Sequence, residues 1–337
     1  MVAQRYGIDS MMYTARSPWD GIGTRLDGAA TSTEAMEAAG LNWEVSMREV
    51  FIQDNGEKYE AGGKTFRKPG EYHKVPGKFA CTRRDTGTVF GVFSSQYVPV
   101  QNQDKFKFID GLVADGQAVF HSAGSLNGGA KTWLYLQLPG DLEVTQTDVL
   151  ERGILLTDSF DGGSALGLRF MTTRKLCSNT LPGLVSGRGN QFRGKHTISL
   201  MSRVVEARQI MGLEEAHSAM IMRGINQIAQ EAMDKAQLEE FLVQLFGQEE
   251  EPDAIGARVQ NQMNTVAHLF VSGLGNVGET KWDALNAVTE FVDYHRGGSS
   301  KPVLEARNQR LHASWFGAGS DLKQTAWELL VPAGATS

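Results

Sequence analysis

The chain has 337 residues, 41% hydrophobic and 21% charged, with a formal net charge of −6 and two cysteines, Cys81 and Cys177. These values suit a globular chain of about two domains with a real core, and argue against a low-complexity or disulfide-stapled protein. The opening MVAQRYGIDS lacks a basic region followed by an apolar run, and no apolar stretch approaches the roughly 20 residues that span a bilayer. The expected setting is therefore the cytoplasm, without membrane contact.

Residues 1–30 are punctuated by Gly and Ser and read as an irregular segment. Thr31, Ser32 and Thr33 then precede an acid-rich run closed by Gly40, which predicts a short capped helix. Residues 41–52 (LNWEVSMREVFI) alternate as a strand does, with Trp43, Val45 and Met47 on one face. The polar, Gly- and Lys-rich residues 53–78 read as a loop or a long hairpin tip. Two hairpins follow, 78–84 with 88–93 around Asp85-Thr86-Gly87, and 118–125 with 131–138 around Asn127-Gly128-Gly129. Turns of this composition are strong hairpin signals because glycine accepts positive φ without strain. A short helix is expected between them, over 104–114.

The last strand of the second hairpin sets Thr132, Leu134, Leu136 and Leu138 on one face and Lys131, Trp133, Tyr135 and Gln137 on the other. The second face suits base stacking; equally, helices could cover both faces and leave Trp133 and Tyr135 in the core. Further extended segments are expected at 153–158, 166–171 and 192–200, a helix or turn at 173–181, and a flexible loop at 182–190. From Val204 helical spacing takes over. One long helix, or two broken near Gly212, should fill 204–247; others should fill 257–271, 281–296 and 322–330. The fold class is thus α+β: an N-terminal antiparallel β-hairpin sheet with helices over 1–203, then an all-helical region over 204–337.

Charge is unevenly spread. Residues 163–205 hold Arg169, Arg174, Lys175, Arg188, Arg193, Lys195 and Arg203 and no acid, a local +7 that leaves −13 for the rest of the chain. Such an island suits a polyanion. It could equally be neutralised from within, since residues 206–253 carry 11 acids against three basic residues. Other chemistry is thin. The run GSLNGGAKT (124–132) fails as a phosphate-binding loop, because Ala130 replaces the glycine before lysine and a strand follows it. Cys177 beside Arg174 and Lys175 favours a thiolate, with His196 a conceivable base, though a buried structural cysteine explains it as simply. The seven histidines show no metal spacing, so neither a structural metal nor a cofactor is expected.

Several segments in order, EAMEAAGLNWEV (34–45), TRRDTGTVFGVFSSQYVPVQN (82–102), SAGSLNGGAKTWLYLQL (122–138), RKLCSNTL (174–181), GKHT (194–197), WDALNAVTEFVD (282–293) and WFGAG (315–319), resemble a family of phage- and plasmid-borne bacterial proteins built on a domain of unknown function. The resemblance implies a role in the DNA metabolism, defence or maintenance of mobile elements in a bacterial cytoplasm. The layout of hairpins, a helix, a basic segment and then helices is also similar, by architecture alone, to RecT- and Redβ-type annealing proteins. The expectation is a non-catalytic protein that binds and anneals single-stranded DNA as a homo-oligomer, with an interaction protein docking an acidic partner as the alternative. Expected backbone contacts are Arg83, Arg84, Arg169, Arg174, Lys175, Arg188, Arg193 and Lys195; expected stacking residues are Tyr97, Trp133 and Tyr135.

Overall fold

The computed structural model describes residues 8–14, 23–114, 116, 118–145, 148–175, 180–182, 191–197, 214–247, 256–297 and 303–332. The fold is α+β, as expected. Its strands are β1 (Ile8–Tyr13), β2 (Thr24–Arg25), β3 (Val45–Gln53), β4 (Lys58–Ala61), β5 (Lys64–Arg67), β6 (Tyr72–Arg83), β7 (Val89–Ser94), β8 (Val119–Leu126), β9 (Lys131–Gln137), β10 (Leu142–Glu143), β11 (Val149–Ser159), β12 (Leu166–Arg174), β13 (Thr180–Pro182) and β14 (Gln191–Gly194). Its helices are α1 (Ser32–Ala38), α2 (Asn102–Ala114), α3 (Glu214–Gln230), α4 (Lys235–Phe246), α5 (Ala257–Ser272), α6 (Lys281–Glu290) with a π turn at Phe291–His295, α7 (Val303–Phe316) and α8 (Ala318–Leu330).

Among the described residues, one large sheet runs in the order β13-β12-β11-β9-β8-β1-β2, with β10 beside β11 and β14 beside β12. Pairing is antiparallel except between β1 and β2. Period-two alternation gives each strand two faces, and here both are covered. Leu134, Leu136, Ile154, Leu156 and Phe170 pack with Trp43, Phe106 and Ile109, under α1, α2 and the smaller β3-β6-β7 sheet. Trp133, Tyr135, Leu155 and Met171 pack with Leu311 and Trp315 of α7. A third core, Ile225, Phe241, Val266, Leu285 and Trp327 among others, lies within the C-terminal helices and reaches Leu150 of the sheet.

Caps and turns account for many boundaries. Thr31 and Glu34 form a reciprocal capping box at α1, as Asp234 and Gln237 do at α4 and Thr280 and Asp283 at α6. The break between α3 and α4 therefore falls at 231–234, where Asp234 restarts the helix; Gly212 lies outside the described residues. Two elements differ from the sequence reading. Part of the segment read as irregular forms β1, paired antiparallel to β8, and α7 closes the second face of the sheet. Extended residues around 192–200 shrink to β14, with 198–200 outside the described set.

Candidate nucleic-acid interface

The cations chosen from the sequence do not gather on one open trough. Arg174 is 1% exposed. It binds the Asp148 carboxylate through Nη2 at 2.6 Å, and donates to the carbonyls of Leu274 and Gly275 at 2.9 Å each. Trp282 Nε1 donates to the same Asp148 at 2.8 Å. This guanidinium is a buried peg between the sheet and the helical region, because removing a charge from water requires full pairing. Lys175 reaches Asp141 at 2.7 Å and Glu151 at 3.8 Å. Arg83 is held by Asp85 at 2.8 Å and lies 4.4 Å over the Trp43 ring; Arg84 pairs with Glu44. Arg169 donates to Trp315 O. Arg193 and Lys195 are exposed. Arg188 lies outside the described residues, as does Cys177.

The stacking residues also need correction. Trp133 and Tyr135 are 0% and 2% exposed, so neither can meet a base without unpacking the core. Trp133 meets Trp315 edge-on at 5.6 Å, and Tyr135 Oη bonds Thr173 Oγ1 at 2.9 Å. Trp133 fits because residue 124 on the neighbouring strand is glycine; a Cβ there would lie 2.6 Å from the indole. Burial pushes the Tyr135 hydroxyl pKa up, keeping it a neutral hydrogen-bonding group. Tyr97 is half-buried, sandwiched between Phe93 at 4.0 Å and His196 at 5.0 Å.

A cluster of ionisable groups does occur inside. Asp158 is fully buried between Lys105 Nζ at 2.6 Å and His196 Nε2 at 2.8 Å, with Cys81 nearby. Burial raises the Asp158 carboxyl, but Lys105 and His196 outweigh it and bring it down to about 2. Burial takes the Cys81 thiol up to about 11, which makes it a poor nucleophile. Lys105 also bonds Thr132 Oγ1 at 2.9 Å and Asn102 Oδ1 at 3.1 Å. With every member of the cluster buried, it acts as an ion-paired polar core joining α2, β9, β11 and the segment after β14. Among the described residues no cluster of His, Cys, Asp and Glu could hold a metal ion, and no helix is long and apolar enough to cross a membrane.

The exposed aromatic and cationic residues gather instead on an arm. β3 and β6 run on past the small sheet, and β4 and β5 continue them to a two-residue turn at Gly62 and Gly63, with φ of 58° and 72°. Glycine adopts two such values in succession without strain, which is why a Gly-Gly pair suits this turn. None of residues 46–80 is buried. At about 3.3 Å per residue the arm reaches on the order of 40 Å. Phe51, Ile52, Tyr59, Phe66 and Tyr72 are all exposed along it. Tyr59 and Phe66 are cross-strand partners, stacked at 5.6 Å, and the alternation brings Lys64 to their face. On the opposite face Lys58 stands directly across from Arg67. Lys74 pairs with Glu49 and His73 with Asp54, whereas Arg48, Lys58, Lys64, Arg67, Lys68 and Lys78 are exposed and make no ion pair. None of these residues was chosen from the sequence. The available signal was a Gly-Gly turn between KYEA and KTFR, each carrying an aromatic residue and a cation.

A family model described as a domain of unknown function (DUF932) matches residues 89–316. No curated protein and no solved structure matches.

Proposed function

The chain belongs to the family defined by that domain of unknown function, and from the exposed arm we propose that it binds single-stranded DNA and promotes its annealing without catalysing a reaction. The carrying observation is the arm tip. Like charges set directly across a β ladder destabilise it, yet Lys58 and Arg67 face each other with no acid paired to either. A phosphate backbone would relieve that repulsion, while Tyr59 and Phe66 offer ring faces to bases irrespective of sequence. A two-stranded ribbon is marginal alone in water, so a bound strand would also steady it. In a homo-oligomer several arms would line one strand and leave base edges open for pairing. The resemblance to phage- and plasmid-borne proteins fits recombination of mobile DNA in a bacterial cytoplasm.

The test is anisotropy of a labelled oligonucleotide over a salt series. Affinity should fall with salt, with a log–log slope of about −0.7 per phosphate neutralised. Replacing Lys58, Lys64, Arg67 and Lys68 by Gln should flatten the slope and weaken binding. No binding at low salt, or binding indifferent to this variant, defeats the proposal. Capture of an acidic protein that survives nuclease would assign the arm to a protein partner instead.

A further inference from the structure

One stretch of the helical region lacks charged residues. Residues 259–278 contain no Asp, Glu, Lys or Arg, although 21% of the chain is charged and about four such side chains would be expected over that length. They make up α5 from its third residue onward and the turn that follows it. α5 buries Met263, Val266, Leu269 and Phe270 in the helical core. Its opposite face is exposed at Asn261, Asn264, His268 and Val271, the i, i+3, i+7, i+10 spacing of a seam between two helices.

Beyond the helix the apolar surface continues. Val271, Leu274 and Val277 are 62%, 57% and 67% exposed. The turn folds back onto the helix end, since a Cβ added at Gly278 would lie 3.0 Å from Val271 Cγ2. It is also held from behind. Arg174 of β12 donates to the carbonyls of Leu274 and Gly275 at 2.9 Å each and to Asn276 Oδ1 at 3.0 Å. Glu290 accepts from Leu274 N at 3.3 Å, and Asn276 Nδ2 donates to Leu269 O at 3.0 Å. This anchoring explains the path of the backbone. It does not explain why a turn so held sets three apolar side chains in water. Single exposed apolar residues are ordinary, but a contiguous patch marks an interaction surface, and a preorganised one binds at low entropic cost.

The charge pattern identifies the occupant. A nucleic acid or an ionic partner would call for opposite charges on this face. A second copy calls for none, because an ionised residue near a two-fold axis meets its own like charge. The chain carries −6 overall, so a neutral face is where two copies approach with least repulsion. The charges bounding the stretch are of opposite sign: Arg258 near the start of α5 and Glu279 beyond the turn, both exposed and roughly 20 Å apart along the helix. Antiparallel pairing of two such faces brings Arg258 of each copy towards Glu279 of the other.

We propose that the outer face of α5, with the turn carrying Leu274 and Val277, is an isologous interface with a second copy of this chain, the two α5 helices lying antiparallel across a two-fold axis. The inference rests on the proposed function for its purpose, a homo-oligomer whose arms share one strand, but its test involves no DNA.

The experiment is sedimentation of the full chain alone over a dilution series. The wild type should show twice the chain's mass at about 100 μM and dissociate on dilution. Leu274→Asp/Val277→Asp changes two exposed side chains; its far-ultraviolet circular dichroism should match the wild type, and its dissociation constant should rise about tenfold or more. Arg258→Glu should weaken the dimer several-fold, and Arg258→Glu/Glu279→Arg should restore it, a rescue that a purely structural role for either residue would not give. A wild type monomeric at every concentration, an assembly unchanged in the double-Asp variant, or no rescue by the charge swap overturns the inference. A dimer that binds no oligonucleotide defeats the proposed function and leaves this interface standing; a monomer that binds one does the reverse.

Discussion

The β8–β9 hairpin and the β3–β6 arm both interleave aromatic residues with cations, and their surroundings treat those residues in opposite ways. Residues 120–126 and 131–136 of the first are all buried; residues 46–80 of the second include no buried position. In the first, Trp133 and Tyr135 close a core against α7, and Lys131 lies near Asp161 and over the Phe316 ring. In the second, Tyr59 and Phe66 stack on each other in water, and neighbouring cations have no acid. The same residue types are therefore core in one ribbon and solvent-exposed in the other. What separates them is whether another element covers the face, and an exposed aromatic strip is the informative case.

The sharpest way to break this comparison is to remove groups from the buried sheet around the first ribbon and from the arm, and read stability. Asp158→Ala would leave Lys105 buried without its carboxylate, and should cost about 3–5 kcal/mol in urea unfolding. Trp133→Ala should cost a similar ~3–5 kcal/mol by emptying the space against Trp315. On the arm, Tyr72→Ala removes an exposed ring and should stay within about 0.5 kcal/mol. A large loss at Tyr72 would mean that the arm is packed in solution, and the contrast would collapse.

Binding should invert that ranking. Tyr59→Ala and Phe66→Ala should each weaken oligonucleotide affinity by about 1–3 kcal/mol with little change in unfolding, whereas destabilised core variants lose binding only through loss of folded protein. Acid sharpens the core side further. The Asp158 carboxyl sits at about 2 in the fold against an ordinary 3.8. Its contribution, on the order of 2 kcal/mol, is present above pH ~4 and lost as pH falls towards 2. Denaturant midpoints compared between pH 5 and pH 2.5 should show that loss in the wild type, and a smaller one in Asp158→Asn.

Much of the scaffold is legible in the residues because its signals are local. Asn127-Gly128-Gly129 marks one hairpin, Asp85-Thr86-Gly87 another, and Thr31 with Glu34 a helix start. β1 was illegible because its partner, β8, lies more than a hundred positions away. Residues 41–52 alternate and read as a strand, but beyond them both faces of the arm meet solvent and the alternation fades, so 53–78 reads as a loop or a long hairpin tip whose clearest mark is its Gly-Gly turn. The basic segment misled for a related reason. Local charge does not reveal that Arg174 will meet Asp148 and the carbonyls of Leu274 and Gly275, since the elements that bury it come from elsewhere in the chain. Trp133 and Tyr135 were open to two readings until α7, nearly two hundred residues on, closed over them.

The smallest expected effect is the most discriminating, because its two readouts move in opposite directions. Lys58 and Arg67 repel across the arm ladder. Lys58→Glu would turn that repulsion into an opposite-charge pair, worth about 0.2–1 kcal/mol to the ribbon. Hydrogen-exchange protection of the arm amides should therefore rise slightly. Oligonucleotide affinity should fall at the same time, since a phosphate contact is replaced by a carboxylate, and the salt slope should drop by about 0.7. If the arm existed only to be a stable strut, more protection would carry no penalty. A gain in protection coupled to a loss in binding is what a ribbon kept under charge strain for an anionic partner should give.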